Sequence, residues 1–249
     1  MTKRVQIVGS PISPYVRKVL VCLERKKIEY EIDPIVPFFG NDEFSRLTPL
    51  RRIPVLIDEQ VALADSSVIC QYLEDRQPEP PFYPADVADR ARARWLEEFA
   101  DSRMGDVFIW RLFNQVAIRP RVWNEAPDAA VVKQAQEVEI PSVLDYLEAE
   151  LPAEGFLFGE SGIADVSIAC FFRNAAFARF QVDASRWPRT AAFVARALAL
   201  PEFQKLARVE EAMLRTPIPK QREALRELGV PLTAKSYGSD APRRGVMPI

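Results

Sequence analysis

Residues 4–23 read Arg-Val-Gln-Ile-Val-Gly-Ser-Pro-Ile-Ser-Pro-Tyr-Val-Arg-Lys-Val-Leu-Val-Cys-Leu. Arg4 to Val8 is short and β-branched, and Gly9-Ser10-Pro11 bounds it, the pattern of a buried strand. Ser13-Pro14 then opens a helix: Ser is a favoured N-cap and Pro is preferred at the first helical position. Val16, Val19, Leu20 and Leu23 follow at helical spacing. Arg25-Lys26-Lys27 closes the helix, where positive charge suits the C-terminal end of the dipole.

Outward from that unit, Tyr30 to Asp33 reads as a second strand stopped by Pro34, and Pro37-Phe38-Phe39-Gly40-Asn41 as a loop. Val55 to Ile57 and Val61 to Leu63 flank Asp58-Glu59-Gln60, a hairpin signal, and Asp65 to Leu73 reads as a helix. The first eighty residues are therefore β-α-β, loop, β-β-α, an α/β domain over 1–77. Residues 78–85 form a linker, since Gln77 to Pro84 carries four prolines in eight residues and is neither helix interior nor central strand. Residues 86–215 are all-helical in pattern. They include a stretch from about Ala129 to Leu151 broken near Pro141, a helix from about Ile163 to Ala178, and shorter ones near Thr190–Leu198 and Glu202–Leu214. The tail, 216–249, holds five prolines and six Lys/Arg against three Asp/Glu, with one short helical stretch at Gln221–Leu228.

Composition narrows the chemistry. The chain has 249 residues, 33 Lys and Arg against 35 Asp and Glu, and a net charge of −2, which supplies no general attraction to nucleic acid or to an anionic membrane. No apolar run reaches the roughly 18–20 residues that span a bilayer, and the N-terminus lacks a signal-peptide core. Cys22, Cys70 and Cys170 are too few and too scattered for a disulfide framework or zinc cluster, so a reducing cytoplasm is expected and no metal. There is no histidine. That removes Ser-His-Asp and Cys-His nucleophile activation, and leaves carboxylates, hydroxyls, arginines, backbone amides or a nucleophile carried by the substrate.

Three segments concentrate groups suited to that last option. In Ser10-Pro11-Ile12-Ser13-Pro14-Tyr15, a hydroxyl at a helix N-terminus can donate to a bound anionic group, with the helix end and Arg17 adding positive potential. Ser13-Pro14 is equally a plain cap. In Thr48-Pro49-Leu50-Arg51-Arg52-Ile53-Pro54-Val55, the second proline either simply begins a strand or marks a special turn. In Leu63-Ala64-Asp65-Ser66-Ser67, a carboxylate and a hydroxyl at a helix start suit the ammonium and carboxylate of a free amino acid, or only cap the helix.

The domain order and these motifs resemble the glutathione S-transferase superfamily over about residues 4–212. The resemblance implies a thioredoxin-like α/β N-terminal domain followed by an all-α C-terminal helical domain. It implies glutathione as co-substrate, with Ser13 on the sulfur and Ser10 as the competing hydroxyl. A cis Pro54 is implied, with Ile53 pairing to the cysteinyl backbone like an added strand. Arg52 is placed near the glycyl carboxylate, and Asp65 and Ser66 on the γ-glutamyl end. The sequence departs from the usual pattern at Thr48 and at Arg51, where Gly is common. Phe156 to Asp165 resembles the family's structural capping box, with Gly162 at the usual Ser or Thr position.

The activity implied is attack of the thiolate on an electrophilic apolar small molecule, a detoxification chemistry, by a homodimer. Phe38, Phe39, Phe108, Trp110 and Phe113 are the candidates to line a second-substrate pocket, although aromatics at helical spacing are also plain core. Two other readings stay open: a non-catalytic protein-interaction module on the same fold, and a thiol–disulfide reductase. The latter suffers from Ser at the nucleophile position, because a hydroxyl forms no mixed disulfide.

Overall fold

A computed structural model describes residues 4–245. The chain divides into two compact units. One comprises the residues up to Pro80 together with those from Pro201 onward, and the other is Pro81–Leu200. The helix at 201–215, read from sequence with the helical domain, and the tail, read as separate, thus both join the α/β unit.

In that first unit the element order is β1 (Val5–Val8), α1 (Pro14–Lys26), β2 (Tyr30–Asp33), α2 (Asp42–Leu47), β3 (Val55–Ile57), β4 (Ala62–Ala64) and α3 (Ser66–Arg76). The chain returns to it with α9 (Pro201–Arg215) and α10 (Gln221–Glu227). The sheet has the order β2-β1-β3-β4, with β1 parallel to β2 and antiparallel to β3, and β3 antiparallel to β4. Val16, Val19, Leu20 and Leu23 of α1 are fully buried or nearly so, as their spacing predicts. The helix α2 was not foreseen: Asn41 caps it by accepting from the Phe44 amide at 3.0 Å, a six-residue element too short for a periodic signal.

Lys26 does more than complement a helix dipole. It is buried, pairs with Glu74 at 2.7 Å, and donates to the carbonyls of Gln77 and Pro80 at 2.7 and 2.9 Å. The basic end of α1 therefore fixes the start of the proline-rich segment, whose Glu79–Pro80 peptide is cis.

The second unit carries α4 (Val87–Phe99), which runs into a wider π-type helix over Ala100–Trp123, then α5 (Ala129–Gln134), a π-type turn, α6 (Ile140–Glu150), α7 (Ile163–Phe177) and α8 (Pro188–Leu198). Pro141 lies just after the π-type turn, inside one unbroken helical run over 129–150, so the ladder widens ahead of the proline where the sequence suggested a break. The core is built on α7, whose Val166, Ile168 and Phe171 are buried. Its start replaces the expected hydroxyl cap by another route. Asp165 is buried and accepts from the amides of Gly162 at 2.9 Å and Leu157 at 3.0 Å. A Cβ at Gly162 would lie 3.0 Å from the Phe82 carbonyl oxygen, the atom that accepts from the Ile163 amide at 2.8 Å. A carbonyl thus takes one orphan helix donor and leaves little room for a larger residue. No helix among the described residues is long and apolar enough to cross a membrane.

Candidate functional site

One row of the sheet organises the site. Val8 stands opposite Asp33 on β2 and Val55 on β3, and Val55 opposite Ala64 on β4. The residues that leave the sheet from this row are Gly9, Pro54 and Asp65, so strand register alone brings three distant motifs to one end of the α/β unit. Gly9 seals the junction between two of them. Its φ is +148°, and a Cβ there would lie 2.6 Å from Val16 Cγ2 and 2.9 Å from Ile53 Cβ. Only a residue without a side chain allows so close an approach.

Beyond Gly9, the Ser13 amide donates to the Ser10 carbonyl at 2.9 Å. Ser10 is buried while Ser13 is half-buried. The Ser13 hydroxyl oxygen accepts from the Val16 amide at a long 3.5 Å, so it caps α1; its own proton has no acceptor among the described residues. Capping and donating to a ligand are compatible because a hydroxyl does both. Arg17 has a different role from the one its position suggested. It is fully buried, paired with Glu210 of α9, and its Nη2 donates to the Ile12 carbonyl at 3.1 Å. Its charge is spent on Glu210, and what it offers the site is a fixed backbone immediately before Ser13.

The Ile53–Pro54 peptide is cis. Ile53 is buried, yet its N–H and C=O have no hydrogen-bond partner among the described residues. Buried backbone groups are almost always paired, so this residue presents a vacant donor and acceptor, the requirement for pairing with an extended peptide. Arg51 stands at φ +51°, a left-handed conformation that favours glycine. Here the side chain compensates: its Nη2 donates to the Gly40 carbonyl at 2.8 Å, and Nη1 donates to the Ser45 hydroxyl. The Arg51 and Arg52 amides both bond to Thr48, at 2.8 Å to its carbonyl and 3.3 Å to its hydroxyl. Arg52 is exposed.

Asp65 is exposed and adopts φ +90°, a conformation L-residues rarely take and one that gathers at functional sites. One carboxylate oxygen caps α3 by accepting from the Ser67 and Val68 amides at 2.9 and 3.2 Å, and the other is unengaged among the described residues. Ser66 beside it is buried. The structure therefore brings Ser13, Ile53, Pro54, Asp65 and Ser66 to one end of one sheet.

The aromatic candidates divide. Phe108 is fully buried against Phe172 and Phe180, with ring centroids at 5.3 and 6.1 Å, and Phe113 against Phe177 at 6.5 Å; both belong to the core of the helical unit. Phe38 is buried in the α/β unit, whereas Phe39 and Trp110 keep part of their surface exposed. The cysteines are all buried, and no group of three or more Cys, Asp or Glu among the described residues is arranged to hold a metal.

Two residues that support this end of the sheet gave no signal in the sequence. Glu210 and Asp33 act through partners near two hundred positions away, which no local pattern signals. Asp33 is buried at the end of β2, and burial pushes its carboxyl above the usual range, against the Tyr237 amide, the Ser236 hydroxyl and Arg222, which pull it down. Arg51 was visible as a departure from pattern, without a reason.

Family models match two parts of the chain: the glutathione S-transferase N-terminal domain over residues 7–81 and the C-terminal domain over 109–201. Glutathione S-transferase 3 of Zea mays is 31% identical over 170 residues, covering 66% of this chain and 75% of its own. FtsZ-localized protein A of Caulobacter vibrioides is 24% identical over 188 residues, covering 71% and 82%. Among solved structures, a glutathione S-transferase of Methylobacterium radiotolerans in complex with glutathione sulfonate superposes with a TM-score of 0.67 at 25% identity, covering 82% of this chain and 94% of that one. With a thioredoxin-like sheet unit, a helical unit and both domain models matched in order, this chain belongs to the glutathione S-transferase family.

Proposed function

We propose that the chain is a glutathione transferase that holds the tripeptide at the end of its sheet and activates its thiol for attack on an electrophilic apolar compound. The observation that carries this reading is the vacant backbone pair of buried Ile53, set by Gly9 against the Ser13 turn. Ile53 takes the cysteinyl unit as an added strand, which leaves the sulfur facing the Ser13 hydroxyl at the positive end of α1. Asp65 and Ser66 receive the γ-glutamyl ammonium and carboxylate, and exposed Arg52 the glycyl carboxylate. Ser13 lowers the thiol pKa by donating to the charged form; it forms no bond to the substrate.

The sulfur then attacks the electrophilic carbon, the carbon–leaving-group bond breaks, and the leaving group departs with its electron pair. Phe39, half-buried in the α/β unit, is the aromatic candidate there with surface to offer the apolar partner. The protein works as a homodimer in the cytoplasm, in a detoxification role. Because the cysteines are buried, a disulfide-exchange activity has no nucleophile at this site.

The test is calorimetric titration with glutathione, followed by the pH profile of turnover of an aryl halide. Wild type binds at millimolar glutathione or tighter, and Ser13→Ala moves the thiol titration upward. Folded protein that ignores millimolar glutathione ends the reading. A second reading, a protein-interaction module, is favoured by the name of the Caulobacter relative. It predicts a captured protein partner whose retention is indifferent to Ser13.

A further inference from the structure

The tail is built into the same end of the sheet as the candidate site. At the free edge of β2 the Ile32 amide donates to the Pro231 carbonyl at 2.9 Å, and the Thr233 amide donates to the Ile32 carbonyl at 3.2 Å, so the tail covers an otherwise open strand edge. Asp33, in the row that launches Gly9, Pro54 and Asp65, then accepts from the Tyr237 amide at 2.7 Å, the Ser236 hydroxyl at 2.9 Å and Arg222 at 2.8 Å. From there the tail runs along the loop 36–42. The Asn41 amide donates to the Tyr237 carbonyl at 2.8 Å, the Ser239 amide and hydroxyl both donate to the Phe39 carbonyl at 2.6 and 2.9 Å, and the Arg243 amide donates to the Phe38 carbonyl at 2.7 Å. Lys235 pairs with Glu43 and Arg243 with Asp42.

That loop is what holds Arg51. Its Gly40 carbonyl accepts from the Arg51 guanidinium, and Arg51, in its left-handed conformation, stands two residues before Ile53. A covering of β2 alone needs no bonds to Phe38, Phe39 and Asn41.

We propose that the segment 231–243 is a positioning element for glutathione binding: by clamping the loop 37–42 it fixes Arg51, and through Arg51 the turn that presents the Ile53 backbone. This rests on the glutathione reading above. Because the clamp acts on the bound ground state, its loss weakens tripeptide binding and leaves the chemical step alone.

The test uses the full-length chain. Ser239→Pro removes both donors to the Phe39 carbonyl. It is expected to raise KM for glutathione roughly threefold to thirtyfold, the range for coupling through such a network, with kcat changed less than about twofold. Arg51→Gly, which tolerates the backbone angle, is expected to raise KM as well, and the two changes together to add nothing beyond Arg51→Gly. Hydrogen exchange supplies a readout that needs no glutathione: the Arg51 and Arg52 amides exchange faster in Ser239→Pro.

An unchanged KM, effects that multiply independently, or a loss of thermal stability with KM and exchange at 51–52 intact would each overturn the proposal. If wild type binds no glutathione, the function proposed above falls, and the exchange rates alone decide whether the tail controls the turn. Should Ser239→Pro not fold, Lys235→Ala with Arg243→Ala loosens the same contact and carries the same expectations.

Discussion

The guanidinium of Arg17 in α1 is buried against the carboxylate of Glu210 in α9, 193 positions later in the chain. Each is almost completely shielded from water, and Arg17 also holds the Ile12 carbonyl. An ion pair taken out of water contributes little net stability, but removing one member leaves an uncompensated buried charge. Glu210→Ala is therefore expected to cost about 3–5 kcal/mol in urea unfolding. Replacing both residues by apolar ones of similar volume recovers most of that loss. A Glu210→Ala protein as stable as wild type would show the pair to be solvated in solution.

Gly9→Ala places a methyl where Val16 and Ile53 already stand, at a backbone angle that L-residues avoid. Overpacking of this kind costs about 1–3 kcal/mol, and the positive φ adds to it. The expected outcome is a lowered urea midpoint together with weaker glutathione binding, since the turn at Ile53 is displaced. Binding that survives intact would separate the Gly9 contact from the tripeptide site.

Ser13→Cys exchanges a hydroxyl for a thiol at the N-terminus of α1, where thiol pKa values fall. The variant is expected to form a mixed disulfide with oxidised glutathione, seen as a mass increase by intact-protein mass spectrometry, and to gain thiol–disulfide exchange activity. In the cap alone, Ser13→Ala costs about 1 kcal/mol. Failure of Ser13→Cys to form the adduct would move the sulfur contact to another residue, with Ser10 the first to test.

Glu148 of α6 caps a different helix from its own. Burial raises its carboxyl, but the Thr190 and Arg189 amides, the Thr190 hydroxyl and Arg189 outweigh that and hold it below the usual range near 4.5. A depressed folded-state value contributes stability that is present above the unfolded value and lost as the pH falls through the folded one. Wild type is thus expected to lose stability on acidification from about pH 5 more steeply than Glu148→Gln, measured by denaturant unfolding at several pH values. Parallel curves for the two proteins would remove Glu148 from the acid response.

The elements legible in the sequence are those set by neighbours in the chain. The Ser13-Pro14 cap, the spacing of Val16, Val19, Leu20 and Leu23, the short β-branched strands and the prolines of 78–84 act over one or two helical turns, where propensity and capping are decided. The site motifs were visible for the same reason: each is a few consecutive residues with compatible chemistry. Their convergence at one end of a sheet follows from register, in which Val8, Val55 and Ala64 share a row. Long-range partnerships had no such signal. The pairing of Arg17 with Glu210, the capture of Asp33 by the tail, and the membership of α9 in the α/β unit depend on contacts between residues far apart in sequence, and burial energy does not record which distant neighbour supplies it. Phe108 shows the limit in the other direction: a pocket aromatic and a core aromatic carry the same letter, and packing against Phe172 and Phe180 makes it core.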